Sequence, residues 1–238
     1  MNKKLLTLTT LTLTTSLFGL AQAQDAMMMG KDAYVRVVHA SPDAPNVDVY
    51  VDGMRTVSNA AFKAVTSFGE VPAGSHKVMV TVAGDKSKAV LEATLNLKAG
   101  TYYTVAATGL VKNLKATVFM AAKLNSNKAK AQVNVYHVSP GGPRVNALAV
   151  DMMNAPILKY GVSYGRKATV LVNPMGVNLN IVPFGKTMPV VKNLSGISVA
   201  GGKTYSVFAM GVVGGTGMQA FDLVVAEDKL VSGSMKGQ

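Results

Sequence analysis

The feature that most constrains this fold is a motif that occurs twice, 98 positions apart. The first copy spans residues 35–53 (VRVVHASPDAPNVDVYVDG), and the second spans residues 133–146 (VNVYHVSPGGPRVN). The motif residues that recur are one histidine, one serine and two prolines, namely His39, Ser41, Pro42 and Pro45 in the first copy and His137, Ser139, Pro140 and Pro143 in the second. A repeat of this length predicts two tandem domains of about 100 residues each.

Each copy of the motif predicts a strand, a corner and a second strand. Runs of β-branched residues favour strands, and two prolines between them fix φ and remove backbone donors. Further strands are predicted in the first repeat at residues 62–71, 76–82, 90–97, 101–109 and 115–121. Short strands at turn spacings of about 8 to 12 residues are typical of a β-sandwich. We therefore predict an all-β chain of two sandwiches with little helix.

The repeat also sets the expected domain boundaries. Residues 33–124 form the first sandwich, residues 125–130 a polar basic linker, and residues 131–226 the second sandwich. A flexible methionine-rich leader over residues 24–32 precedes them, and a tail over residues 227–238 follows, which we expect to be loose.

The N-terminus predicts export. Lys3 and Lys4 precede a run of Leu and Thr over residues 5–20, and small residues follow at 21–23, which is the layout of a signal peptide over residues 1–23. The mature chain would begin at Gln24 in the periplasm, cell envelope or extracellular space, with an uncleaved anchor as the alternative. The absence of cysteine excludes disulfides and thiol chemistry.

The net charge of +12 indicates partners of negative charge. An exported protein with this balance is attracted to anionic envelope polymers, lipid headgroups or small anions. Nucleic acid is not expected as a partner, because the sequence has no Trp, no Arg-rich stripe and no aromatic motif of the kind that stacks on single strands.

Three stretches of the first repeat resemble one known family. They are the motif at residues 39–53, the Val-Pro-Ala-Gly turn at residues 71–74 and the AGTYYTVA strand at residues 99–106. They are similar to domain of unknown function 4397. The resemblance implies an immunoglobulin-like or transthyretin-like sandwich in exported envelope proteins, often in tandem, and implies no established activity. The second repeat departs from the pattern at Gly141 and Gly142.

The histidines are the candidate site residues, and two interpretations stay open. His39 and His137 share the inward strand phase of the valines before them, so each imidazole can brace its corner through hydrogen bonds. Alternatively they bind a metal or titrate near neutral pH. His76 is expected to be a polar surface residue, with Asn178 as its counterpart in the second repeat.

A metal site would combine histidines with methionines. The candidate ligands are His39, His76, His137, Met27, Met28 and Met29. Imidazole and thioether both suit copper. No H-x-H or H-E-x-x-H spacing concentrates ligands as in zinc enzymes. Asp48 and Asp52 are expected on a solvated strand face, and we identify no catalytic residue, because there is no nucleophile elbow or supported Ser-His-Asp order.

These observations favour a non-enzymatic envelope protein without a cofactor. Its expected partners are envelope or surface-layer proteins, bound through strand edges, or anionic envelope polymers. The alternative is a copper-binding envelope oxidoreductase that disproportionates superoxide, and a third class is small-ligand carriage between the domains.

Overall fold

The structure is a computed structural model that describes residues 31–121 and 123–234, without the side chains of 232–234. The described chain is built from strands and three short 3₁₀ helices, which confirms the all-β prediction. The strands are β1 Asp32–His39, β2 Val47–Val51, β3 Met54–Ala60, β4 Phe68–Pro72, β5 Gly74–Val82, β6 Ala89–Leu97, β7 Tyr102–Thr108, β8 Lys115–Ala121, β9 Ala131–His137, β10 Val145–Ala149, β11 Ala155–Pro156, β12 Arg166–Val172, β13 Met175–Pro183, β14 Lys192–Val199, β15 Thr204–Met210, β16 Asp222–Glu227 and β17 Leu230–Ser234. The 3₁₀ helices are η1 Val111–Asn113, η2 Val150–Met152 and η3 Gly217–Gln219. No helix of the described residues is long and apolar enough to span a membrane.

The strands form four sheets. Sheet A has the order β17-β4-β1-β7-β8, sheet B β3-β2-β5-β6, sheet C β12-β9-β15-β16 and sheet D β11-β10-β13-β14. Sheets A and B face each other across a core that includes Val35, Val49, Val80 and Leu95, and we call this pair the first sandwich. Sheets C and D form the second sandwich, where Ala147 and Ile181 of sheet D pack with Ala209 of sheet C.

The two sandwiches share one strand plan. In each, the motif strand lies parallel to a later strand of its own repeat, β1 to β7 and β9 to β15. The pairing of His39 with Ala107 in sheet A is matched by the pairing of His137 with Ala209 in sheet C. The two sequence repeats therefore have the same strand register.

Sheets A and C also face each other, so the molecule is a stack of four layers in the order B, A, C, D. Val35 of β1 points into the first sandwich, whereas Val38 points the other way, into a second core. That core joins Val38 and Phe119 of sheet A to Tyr136 and Phe208 of sheet C. Tyr136 stacks on Phe208 with ring centroids 4.7 Å apart. β1, the central strand of sheet A, is consequently buried on both faces.

The expectation of a loose tail is wrong for most of its length. Asp228 is buried, and the chain then crosses to the first sandwich, where β17 pairs with β4 in parallel. Sequence patterning missed β17 because the strand is short and its partner lies far away in the chain. β3 was also missed, since its residues are mostly polar and exposed.

Candidate functional site

The first corner is held by His39. The residue is 2% exposed, and its Nε2 lies 3.1 Å from the carbonyl oxygen of Pro45. A carbonyl can only accept, so Nε2 carries the proton and donates. The backbone N–H of Ser41 donates to Nδ1 over 3.4 Å. The imidazole thus links the end of β1 to the chain that enters β2.

The second corner has the equivalent histidine–proline hydrogen bond, and its backbone lies closer to the imidazole. His137 is fully buried, and its Nε2 donates to the carbonyl of Pro143 over 2.8 Å. Nδ1 of His137 has no hydrogen-bond partner among the described residues. A Cβ at Gly142 would lie 2.8 Å from Cε1 of His137, so this corner requires glycine where the first repeat has Ala44.

Burial keeps both corner histidines neutral at pH 7. Desolvation lowers the pKa of His39 and of His137, and the hydrogen bond to the proline carbonyl opposes that effect less strongly. A neutral imidazole with Nε2–H donating is the tautomer that each corner needs. The geometry is that of a structural brace.

His76 lies in β5 and is 9% exposed, so the expectation of a polar surface residue is wrong. Its Nδ1 is 2.7 Å from Oδ2 of Asp52, and its Nε2 is 2.7 Å from the carbonyl oxygen of Pro72. The bond to His76 is the largest cause that lowers the pKa of Asp52. β2 pairs with β5 in the same way that β10 pairs with β13, and Val78 in the first sandwich corresponds to Leu179 in the second. Two residues earlier on each strand, Val177, and not Asn178, is therefore the counterpart of His76.

The structure does not bring the three histidines together. Each Nε2 is hydrogen-bonded to a different proline carbonyl. Within residues 31–121 and 123–234, no group of three or more His, Asp or Glu side chains could hold a metal ion. Met27, Met28 and Met29 lie outside the described residues. A copper site that uses those methionines stays a prediction.

Asp48 is 1% exposed, so its expected place on a solvated face is also wrong. Its carboxylate accepts from the backbone N–H of Asn59 over 2.7 Å and of Gly84 over 3.1 Å. The bond from Asn59 is the main cause that lowers the pKa of Asp48. Asp48 therefore holds the bulged edge strand β3 and the β5–β6 turn in place. Sequence alternation missed the burial of Asp48 because it assumes that one face of the sheet is exposed to solvent.

The least expected buried group is Arg36, which is 1% exposed between sheets A and C. Nη1 lies 2.6 Å from Oδ1 of Asp228, Nη2 donates to Ser206 Oγ over 2.7 Å, and Nε donates to Thr104 Oγ1 over 2.9 Å. The guanidinium also lies 4.5 Å from the ring centre of Phe68. We call this group the Arg36 lock, because it joins both sandwiches and the segment before β17.

Each of the three guanidinium nitrogens of Arg36 and each carboxylate oxygen of Asp228 makes a hydrogen bond. Ser206 Oγ donates to the second oxygen of Asp228 over 2.8 Å. Burial raises the pKa of Asp228, and the charge of Arg36 opposes that shift. An ion pair of this kind needs further hydrogen bonds to be stable in a dry interface, and Thr104 and Ser206 supply them here. The sequence contains one signal for this burial. Arg36 and Val38 lie on the same face of β1, and an apolar Val38 on that face indicates that the face is covered.

The second sandwich contains a cavity of about 100 Å³ between sheets C and D. Its walls are aliphatic side chains, among them Val135 and Val207 of sheet C and Val177, Leu179 and Ile197 of sheet D. The first sandwich has two gaps of about 20 Å³ each in the corresponding space. The cavity is a place where an apolar molecule can be held.

The free edge of sheet A is the other surface feature of note. β8 pairs with β7 without a bulge, from Ala121 opposite Tyr102 to Lys115 opposite Thr108. It is the last strand on that side of the sheet. Val118 is 42% exposed and Met120 is 63% exposed. An edge strand with apolar side chains can pair with a strand of another chain.

Comparison with known proteins supports a family and little else. Residues 33–148 match the family described as Domain of unknown function (DUF4397). No curated protein is detectably similar in sequence. A solved structure of the Bacillus anthracis TIE protein is 8% identical with a TM-score of 0.25, over 76% of this chain and 34% of that one. A Bacteroides eggerthii protein proposed to act in cell adhesion is 10% identical with a TM-score of 0.25, over 84% of this chain and 97% of that one.

Proposed function

This chain belongs to the DUF4397 family, and we propose that it is a non-enzymatic binding protein of the cell envelope. Its histidines and its buried arginine hold corners and interfaces together, which is the chemistry of a rigid scaffold. A stack of four sheets presents its strand edges at fixed positions, and rigid edges lose little entropy when a partner binds.

The observation that carries the proposal is the edge strand β8. It offers seven residues of backbone, Lys115–Ala121, to a partner strand. Natural proteins usually protect such an edge with a bulge, a proline or charged side chains. β8 has none of these beyond its first lysine, and it exposes Val118 and Met120 instead. Addition of a partner strand would satisfy its backbone groups and cover both side chains.

The partner class we favour is an envelope or surface-layer protein with an extended segment. Anionic envelope polymers form the second class, favoured by a net charge of +12 for the full chain, or +10 once Lys3 and Lys4 leave with the signal peptide. Attraction to a polymer weakens steeply as salt rises, since the Debye length shrinks to about 8 Å at 0.15 M salt. Strand addition depends on backbone pairing and changes little over that range.

The test is co-sedimentation of the purified protein with cell envelopes from its own source. The double variant Val118→Lys/Met120→Lys places two charges on the β8 edge and should abolish sedimentation at 0.15 M salt. Met218→Lys is the control, because Met218 is 86% exposed and lies in η3, outside β8 and outside sheet A. Equal sedimentation of the double variant and the control would reject the β8 edge as the binding surface.

Export is the second part of the proposal. If the chain is secreted, the intact mass of the native protein should correspond to a start at Gln24. A mass that includes residues 1–23 would place the protein on an uncleaved N-terminal anchor instead.

A further inference from the structure

Sheet C extends further than sheet A on the side where β8 ends sheet A. Phe119 of β8 packs on Tyr136 of β9, with ring centroids 5.2 Å apart, so β8 lies over β9. Asn134 of β9 is fully buried beneath sheet A. Thr169 lies opposite Asn134 in β12 and donates to its side-chain oxygen over 2.8 Å, yet Thr169 is exposed. β12 therefore projects beyond β8, and its face towards sheet A is open.

Three alternate residues of β12 form this open face, and we call them the β12 ledge: Lys167, Thr169 and Leu171. Alternate residues of a strand share one face, and the bond from Thr169 to Asn134 identifies that face as the one towards sheet A. Leu171 is 58% exposed, and Lys167 is half-buried and donates to Thr169 over 3.4 Å. The ledge thus presents an ammonium, a hydroxyl and an isobutyl group in a row, about 6.6 Å apart.

The cations around the ledge lack acidic partners. Lys115 of β8 lies close by, with Nζ 5.7 Å from the ring centre of Tyr164 just before β12. Lys115, Arg166 and Lys167 make no salt bridge within the part of the chain that the structure describes. Burial lowers the pKa of Lys167, as expected of a cation without a neighbouring carboxylate. At the opposite edge of sheet C, by contrast, both carboxylates of β16 are paired with lysines.

A strand added to β8 would lie over the ledge. Neighbouring strands are about 4.8 Å apart and packed sheets about 10 Å apart, so the added strand occupies the space above β12. Lys115 lies beside Tyr164, which precedes β12. Phe119 lies beside Tyr136, which pairs with Lys167 further along β12. β8 and β12 therefore run side by side, and every second side chain of the added strand points at the ledge.

We propose that the partner strand at the β8 edge places an acidic side chain over Lys167 and a large apolar side chain over Leu171. This proposal rests on the proposed function, because it specifies the partner of the same edge. The partner segment then has an acidic and an apolar residue four positions apart. Its carboxylate supplies the charge that Lys167 lacks, and its apolar side chain covers Leu171. The intervening side chains lie beside Val118 and Met120 on the other face and are apolar.

The test is a reciprocal charge reversal, measured by fluorescence anisotropy on the purified protein. The probes are two labelled synthetic strands, SVLVTVEVS and SVLVTVKVS, designed to pair antiparallel to β8, which is the slightly more stable arrangement. The unmodified protein should bind the glutamate strand about tenfold more tightly than the lysine strand. Lys167→Glu should invert that preference. The matched control is Lys186→Glu, which makes the same change of charge at an exposed position between β13 and β14 and should keep the original preference.

Three outcomes of the charge reversal would overturn the proposal. They are equal affinity of the unmodified protein for the two strands, an unchanged preference in Lys167→Glu, and an inverted preference in Lys186→Glu. The first comparison uses only the unmodified protein, so it decides the matter even if Lys167→Glu does not fold.

The apolar position is tested with a third strand, SVSVTVEVS. Loss of the leucine should weaken binding to the unmodified protein about fivefold, since its contact with Leu171 is lost. Leu171→Ser should weaken the SVLVTVEVS strand by a similar factor and should bind the third strand no more weakly than the unmodified protein does. Independent, additive losses would show that the two leucines do not meet, and would contradict the proposed placement.

The double variant Val118→Lys/Met120→Lys separates failure of the ledge from failure of the proposed function. It should bind none of the strands, because all of them pair with β8. If it binds none while the unmodified protein binds the glutamate and lysine strands equally, β8 accepts strands but the ledge does not select them, and only the present proposal fails. If it binds the glutamate strand as tightly as the unmodified protein, both proposals fail. Absence of binding to the unmodified protein contradicts the ledge alone, and co-sedimentation then decides on β8.

Discussion

The two sandwiches keep the same strand pairing but fill their cores differently. In the first, Val49, His76 and a seven-residue β3 leave gaps of about 20 Å³. In the second, Ala147, Val177 and a two-residue β11 leave about 100 Å³. The two sandwiches thus share their backbone pairing and the histidine corner, whereas the volume of the core and the length of the edge strand differ.

A second contrast concerns the buried polar residue one position after the start of β2 and β10. Asp48 in the first sandwich accepts from Asn59 and Gly84, and Asn146 at the same place in the second sandwich bonds to Leu158. Both side chains hold a neighbouring edge segment. A charged group does this where both partners, the N–H groups of Asn59 and Gly84, are donors, and a neutral amide does it where both a donor and an acceptor must be met.

The largest expected effect comes from the Arg36 lock, which neither sandwich contains alone. Arg36→Met leaves the Asp228 carboxylate buried without its partner and should lower the free energy of unfolding by about 3–5 kcal/mol. The double variant Arg36→Met/Asp228→Leu should regain most of that loss. Urea denaturation measures both. A single variant as stable as the unmodified protein would show that the interface is not held by this pair.

The next effect compares the two corners. His39→Ala leaves the Pro45 carbonyl and the Ser41 N–H without partners and should cost about 1–3 kcal/mol. His137→Ala should cost less, since only the Pro143 carbonyl loses its partner. Thermal and urea unfolding of both variants, together with elemental analysis, check this. Loss of stoichiometric copper from either variant, with an unchanged apo melting temperature, would favour the copper alternative.

A reciprocal exchange tests the difference in core filling. Val49→Ala removes two buried methyl groups from the first sandwich and should cost about 2 kcal/mol. Ala147→Val adds them to a sandwich with room for them and should raise the melting temperature slightly. Differential scanning calorimetry on both variants gives the comparison. If Ala147→Val destabilises the protein as much as Val49→Ala, the second core is not underfilled.

The smallest effect is a dependence of stability on pH. Burial lowers the pKa of both corner histidines in the folded state, so the unfolded chain takes up protons first, near pH 6.5. The stabilisation is complete above pH 6.5 and is lost as the pH falls below it. The free energy of unfolding should fall from pH 7 to pH 5, and the slope should be shallower in His39→Ala/His137→Ala. An equal slope would assign the dependence to the carboxylates.

Much of the fold follows from patterns within a few residues. Alternation and turn residues located β5 to β8 nearly to the residue, and the corner motif located β1 and β2. The candidate site was predicted less well. His76 and Asp48 were placed at the surface because alternation identifies two faces of a strand but does not say what covers each.

The sequence by itself determined the repeat, the all-β class, the corners and the inward phase of His39 and His137, because each depends on steric and hydrogen-bonding preferences of nearby residues. Only the tertiary structure decided that sheets A and C bury Arg36 between them, that β17 returns to β4, and that the second sandwich encloses a cavity. These features depend on contacts between residues up to 192 positions apart and on the volume left when two sheets meet. Local periodicity carries no record of either quantity.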